Sequence, residues 1–244
     1  MRMYTTAAMV ICVAASYSSS LMAGPRDRPT IEDAIGVVGD LEQSPKTGVP
    51  PELLKEAEAV IIAPHQVKGG FIVAGRYGHG VLLVRQKNGD WSDPVFVTLG
   101  GGSFGLQVGV QATDLFLIIR NQKSLGRIMQ GNGKVTLGAD ISVAAGPLGR
   151  QASANTDAQM KAEILSYSRS RGIFGGVAIE GDAIRIDWDA NERFYGRRDL
   201  TVASILDGKQ SPPETAAKLR AALLKLQEKG ASKPSVEPIL IPNR

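Results

Sequence analysis

VIIAPHQVKGGFIVAGRYGHGVLLVR (residues 60–85), GDWSDPVFVTLGGGSFGLQVGVQATDLFLIIRN (89–121) and GKVTLGADISVAAGPLGR (133–150) decide the fold of this chain. In all three, glycine punctuates runs of Val, Ile, Leu and Phe that alternate with small or polar residues, the period-2 pattern of β-strands. Of 28 glycines, 17 fall between Gly69 and Gly149. That density suits tight turns and close strand packing more than catalytic loops. The pattern predicts strands at 60–63, 71–76, 79–86, 94–99, 104–111, 114–120 and 134–144. Asn88-Gly89 between two apolar runs is a hairpin signal. Short connections between neighbouring strands favour antiparallel pairing over βαβ units.

Helical signals flank this block. Thr30, Glu32 and Asp33 resemble a capping box, and Ile31, Ile35, Val38 and Leu41 follow at near-helical spacing. Pro51 can open a second helix through Ala59. Ser124 to Gln130 reads as a short helix ended by Gly131. After Arg150 a small, polar stretch (151–160) reads as an exposed loop, strand-like alternation returns at 162–170 and 175–189, and 191–206 is helical in part. In the last helix, 214–228, Leu219, Ala222, Leu223 and Leu226 fall on one face, and packing on the domain suits it better than a membrane or partner. The tail from Gly230 carries Pro234, Pro238 and Pro242 and reads as extended. The fold class is therefore α+β: a glycine-rich, mainly antiparallel sheet, open or barrel-like, flanked by N- and C-terminal helices.

Composition bounds the function. The chain has 244 residues, 43% hydrophobic and 21% charged, with net charge +4 and a pI near 9.2. This supports a packed core, and it is too mild a charge for a dedicated nucleic-acid binder. Arg2 followed by the apolar run Ala7 to Ala15 reads as a bacterial export signal over residues 1–23, with Ala23 a cleavage point before Gly24. Cys12, the only cysteine, lies inside the apolar run without lipobox neighbours, so secretion or a periplasmic location is expected rather than a lipoprotein. The mature chain then holds no thiol. Residues 24–208 form the expected main domain and 209–244 a C-terminal helix with a Pro-rich tail.

Two enzyme motifs occur and neither has its context. Gly100, Gly102 and Gly105 match a dinucleotide fingerprint, which requires a following helix and an acid about 20 residues on; LQVGVQATDLFLII alternates as a strand instead. Gly101, Ser103 and Gly105 match a nucleophile elbow, but both histidines, His65 and His79, lie upstream. Their 14-residue separation fits no compact metal site. The carboxylates Asp182, Asp187, Asp189 and Glu192 near Trp188 can cap turns as readily as act in acid-base chemistry. No catalytic residue, cofactor or metal is expected.

The basic residues are informative by position. Lys68, Arg76, Arg85, Arg120, Lys123, Arg127, Lys134, Arg150, Arg169 and Arg171 fall mostly at strand ends or turns, where several could converge on a phosphate-bearing headgroup or simply form a solvated rim.

The blocks AVIIAPHQVKGGFIVAGRYGHGVLLVR, WSDPVFVTLGGGSFGLQVGVQATDLFLII, KVTLGADISVAAGPLGR and ILSYSRSRGIFGGVAIEG, in this order across residues 35–206, resemble the SYLF domain, also called the Ysc-type actin-binding or DUF-five-hundred domain. The resemblance implies a non-enzymatic lipid-binding module. Eukaryotic members associate with phosphoinositide membranes, some with actin, and often carry an SH3 or FYVE domain. In animal members an amphipathic lipid-binding helix precedes the domain, where this chain has its export signal and the Thr30 helix. For an exported protein the expected partner is an anionic phospholipid or membrane surface of the cell envelope, met by the ten basic residues named above. Actin and nucleic acid are not expected. The alternative is an envelope structural or adaptor protein that binds a protein or glycan.

Overall fold

A computed structural model describes the chain over residues 27–44, 49–70, 73–104, 109–130, 134–148, 157–170 and 173–229. The elements in order are α1 (Asp27–Gln43), α2 (Pro51–Lys55), β1 (Ala59–Gly70), β2 (Val73–Val84), β3 (Val95–Phe104), β4 (Gly109–Ile119) and α3 (Gln122–Met129). They continue with β5 (Val135–Thr136), β6 (Val143–Ala145), α4 (Asp157–Lys161), β7 (Ile164–Ser170), β8 (Ile173–Gly176), β9 (Asp182–Ile186), α5 (Trp188–Tyr195), α6 (Val202–Leu206) and α7 (Glu214–Lys229). The fold is α+β, as the glycine-punctuated alternation predicts.

Among the described residues, nine strands form one sheet in the order β5-β9-β3-β2-β1-β4-β7-β6, with β8 also paired to β7. All pairings are antiparallel except β6 with β7. A flat sheet of eight strands would be about 34 Å across at ~4.8 Å per gap. Yet its two edge strands, β5 and β6, are joined by the short stretch between Thr136 and Val143, which reaches at most about 25 Å. Gly138, at φ +87°, and a bridge between Leu137 and Ile141 shorten that reach further. The sheet therefore curls into a half-barrel. Leu137 and Ile141 pack inside it, so this connection crosses the concave face.

Both faces of the inner half of the sheet are buried, which is why its sequence reads as continuous apolar runs. Val60, Ile62, Val81, Leu83, Phe96 and Phe116 meet a helix layer of α1, α2, α5 and α7. Ala59, Ile61, Leu82, Val97, Leu99 and Leu117 fill the concave face with Leu125 and Ile128 of α3 and Ile205 of α6. Leu219, Leu223 and Leu226 of α7 are buried against this helix layer, and Lys225 pairs with Glu42 of α1 at 3.1 Å. The helix 214–228 thus packs on the sheet domain.

Several predicted boundaries move. Strand 60–63 continues to Gly70, and the expected strands 71–76 and 79–86 merge over the described residues into one, β2 (Val73–Val84). A glycine hides the alternation at Gly78, where a Cβ would stand 2.1 Å from Gln66 Nε2; the strand runs through because the space belongs to a neighbouring side chain. β3 likewise runs to Phe104 through Gly100, Gly101 and Gly102, which pair with β2. Thr30 is not a cap: helix α1 already includes Asp27, and Thr30 is buried within it. The second helix stops at Lys55, where Glu56 takes the C-cap position. The 151–160 loop holds α4 from Asp157, and its earlier part lies outside the described residues, as do the export signal and the tail from Gly230. The Asn88-Gly89 turn joins β2 to β3, with Gly89 at φ +87°.

Candidate functional site

The outer half of β1 to β4 extends beyond the buried inner half. It starts at a bulge: the β1 register shifts by one residue against both neighbours between Ile62 and Val67. His65 takes φ +50° there, an unusual conformation for a side-chain-bearing residue. Its amide donates to Asp114 Oδ1 at 2.9 Å, and its ring lies 3.6 Å from Asp33 and 3.7 Å from Asp114. The bulge thus ties β1 to β4 and to α1. Past it, β1 and β2 expose Val67, Tyr77 and His79 on the helix side and leave Lys68 and Arg76 half-buried on the other.

Two large apolar side chains are exposed on that side. Val67 is 48% and Tyr77 57% exposed, and they are cross-strand partners. The Tyr77 ring lies over Gly100, where an added Cβ would sit 3.3 Å from it, and meets the His79 ring edge-on at 5.4 Å. His79 in turn pairs with Asp187, the N-cap of α5, at 3.1 Å. The opposite face of the same strands carries Lys68 opposite Arg76. Arg76 reaches Asp182 at 2.6 Å, whereas Lys68 has no ion-pair partner among the described residues. One end of the sheet therefore presents an apolar-aromatic pair on one face and a cation pair on the other.

The remaining basic candidates are placed differently. Arg85 is half-buried at the other end of β2, nine residues and about 30 Å from Arg76. It donates to Ala57 O at 3.1 Å, Gly89 O at 3.0 Å and Gln227 at 2.6 Å, also reaches Leu54 O, and stacks on Trp91 at 4.1 Å. Desolvation lowers its pKa, opposed by Glu58. Arg120 donates to Gln159 O at 2.9 Å and Ala162 O at 3.2 Å, and Arg127 to Asp140 O. Arg169 is held by Asp114 at 2.7 Å and by Asp40. Lys123 and Lys134 are exposed on α3 and before β5. Arg150 and Arg171 lie outside the described residues. The structure thus brings together Lys68 and Arg76 and spends Arg85, Arg120, Arg127 and Arg169 on holding the fold.

Sequence reasoning missed Val67 and Tyr77. Their signal was available as two apolar residues at equal distance from the β1–β2 connection, but it is readable only once the register is known. Ser103 lies within β3 opposite Ala74, and the glycines around it lead to strand β4, not to the helix that either enzyme motif requires. Among the described residues no group of three or more His, Cys, Asp or Glu is placed to hold a metal ion, and no helix is long and apolar enough to cross a membrane.

The Ysc84 family model, described as Las17-binding protein actin regulator, matches residues 100–226. The chain belongs to the Ysc84 family. It is 40% identical to LAS seventeen-binding protein 3 of Saccharomyces cerevisiae over 167 residues, 68% of this chain and 36% of that protein. It is 32% identical to SH3 domain-containing YSC84-like protein 1 of Xenopus laevis over 181 residues, 74% of this chain and 53% of that protein. The chain thus spans roughly a third to a half of the curated relatives it matches. No solved structure matches it. The yeast relative is named for binding Las17, and the family model is described as an actin regulator. The expectation that actin is no partner runs against the family description, which names an actin regulator.

Proposed function

We propose that this Ysc84-family chain is a non-enzymatic binding module that meets an anionic membrane surface with the outer end of its half-barrel. The observation that carries the reading is the exposed Val67–Tyr77 pair with Lys68 at the same end. A tyrosine buries its ring at a lipid interface while its hydroxyl stays hydrated, and lysine extends its ammonium toward phosphate. Each cation near an anionic bilayer contributes about 1 kcal/mol, screened by salt. For a chain exported after cleavage near Ala23, that bilayer is a membrane of the bacterial cell envelope.

Co-sedimentation of residues 24–244 with phosphatidylglycerol and with phosphatidylcholine vesicles tests it. Binding should be selective for the anionic vesicles and weaken at high salt. Lys68→Glu combined with Tyr77→Ser should reduce it roughly tenfold, the equivalent of about 1.4 kcal/mol, while Lys123→Glu on α3 leaves it unchanged. Equal, negligible binding to both vesicles would end this reading.

A second reading takes the same end as a protein-binding surface. It is favoured by the family's description as an actin regulator and by a relative named for binding Las17. Filamentous-actin co-sedimentation with the same double variant separates the two: loss of actin binding with unchanged vesicle binding selects the protein partner.

A further inference from the structure

At the opposite end of the sheet, the β2–β3 turn, the end of α6 and the side of α7 border an open cleft of about 450 Å³. Its walls include Gln86, Lys87, Asp207 and Arg220, and Trp91 and Asp93 form its floor. The floor residues are only 1% and 3% exposed. Trp91 Nε1, a donor, and Asp93 Oδ1, an acceptor, are both buried without a hydrogen-bond partner. Buried polar atoms are nearly always paired, and leaving one unpaired is costly.

The charges around them are arranged with both signs. Arg220 approaches Asp93 Oδ1 at 3.3 Å as an ion pair without hydrogen-bond geometry. Burial raises the Asp93 carboxyl above its usual range, and Arg220 opposes this as the smaller effect. The other carboxylates at the cleft are already engaged: Asp90 accepts from Asn88 at 2.9 Å and Asp207 pairs with Lys209 at 3.2 Å. The Tyr195 hydroxyl beside Asp93 donates to Pro94 O at 2.7 Å. Asp93 is thus the carboxylate left for an incoming donor, and Trp91 Nε1 with Arg220 and Lys87 are the groups left for an acceptor.

One water occupies about 30 Å³, whereas the cleft falls in the ~300–1,000 Å³ range of small-molecule sites. The charged Lys87, Asp207 and Arg220 around it disfavour an acyl chain. We propose that this cleft binds a small zwitterion, an ammonium donating to Asp93 with an adjacent anionic group accepting from Trp91 Nε1 and Arg220. Free amino acids and the phosphoethanolamine headgroup share this chemistry.

The Trp91 indole N–H gives a direct readout by ¹H–¹⁵N NMR on the full chain, assigned with Trp188→Phe because the chain has two tryptophans. The probes are L-alanine, O-phosphoethanolamine, ethanolamine, inorganic phosphate and phosphatidylethanolamine vesicles. A saturable downfield shift with a soluble zwitterion, and binding at least about tenfold weaker for ethanolamine or phosphate alone, supports the site. Saturation by L-alanine assigns a free amino acid, and by O-phosphoethanolamine and the vesicles without L-alanine the headgroup. Asp93→Asn keeps the shape and removes the charge, so affinity should fall at least about tenfold, while the melting temperature holds or rises because burial disfavours the charged carboxylate more than Arg220 favours it. Affinity should also fall as pH drops through the raised Asp93 carboxyl value, because the protonated acid no longer attracts an ammonium. Absence of any saturable shift up to about 10 mM, or a shift that survives Asp93→Asn, overturns the proposal.

Discussion

Arg85→Ala is expected to lower stability by about 3 kcal/mol and to leave membrane affinity of the folded protein unchanged. The guanidinium joins four parts of the molecule: the end of α2 through Leu54 O and Ala57 O, the β2–β3 turn through Gly89 O, α7 through Gln227, and the Trp91 ring. Truncation strands those carbonyls in a half-buried setting, and each lost bond of this kind costs about 1 kcal/mol. Loss of the cation–π contact adds up to about 1 kcal/mol. The terms are not additive because one side chain makes them all, which keeps the sum near 3. For a chain of this size the melting temperature should then fall by about 6–12 °C. Arg85→Lys should recover little of it, since an ammonium cannot reproduce the planar fork. Lys123→Ala, on an exposed face of α3, should stay within about 0.5 kcal/mol. Thermal melts with the vesicle assay decide the matter. An Arg85→Ala protein that melts within 2 °C of the parent yet loses vesicle binding would return Arg85 to the binding surface.

Arg85 also shows why the site was less legible than the fold. Its acceptors are backbone carbonyls, which have no signature in a list of side chains. Arg120 and Arg127 are consumed in the same way, by Gln159 O, Ala162 O and Asp140 O. Where the partner is a carboxylate, it is remote in sequence: Asp182 lies 106 residues from Arg76, and Asp114 lies 55 from Arg169. Counting cations at strand ends therefore finds the rim of a sheet without telling which cations are free. The fold was legible because it rests on local signals. Asn88-Gly89 places the β2–β3 turn, and Leu219, Leu223 and Leu226 place the buried stripe of α7. Two of the carboxylates around Trp188 take the structural option: Asp187 caps α5 by accepting from Ala190 N at 3.0 Å, and Asp182 pairs with Arg76. What the sequence could not show was strand continuity at Gly78 and Gly100–Gly102, because glycine erases hydropathy while leaving the backbone ladder intact.

Gly101→Ala should cost about 3 kcal/mol and Gly101→Val more, both through the β3–β9 pairing. A Cβ at Gly101 would stand 2.1 Å from Asp182 Oδ1, 2.7 Å from Asp182 Cα and 2.9 Å from Gly181 O. Two of these three atoms are backbone, so no rotamer change relieves the clash. β9 must move away from β3, and it carries with it Ile184 and Ile186 of the concave core, the β5 pairing and the Asp182 carboxylate that holds Arg76. Gly75, paired with Gly102 one register step away, meets nothing within 4 Å of an added Cβ. Gly75→Ala should therefore change stability by less than about 0.5 kcal/mol, or raise it slightly by restricting the unfolded chain. Urea denaturation of the two alanine variants gives the comparison. Gly101 is a glycine of the elbow-like motif in this chain, and an elbow glycine would lose activity on substitution while the protein stayed folded. A Gly101→Ala variant as stable as the parent would remove the steric account of this glycine, whereas a fall near 3 kcal/mol beside an unaffected Gly75→Ala locates its purpose in the approach of β9.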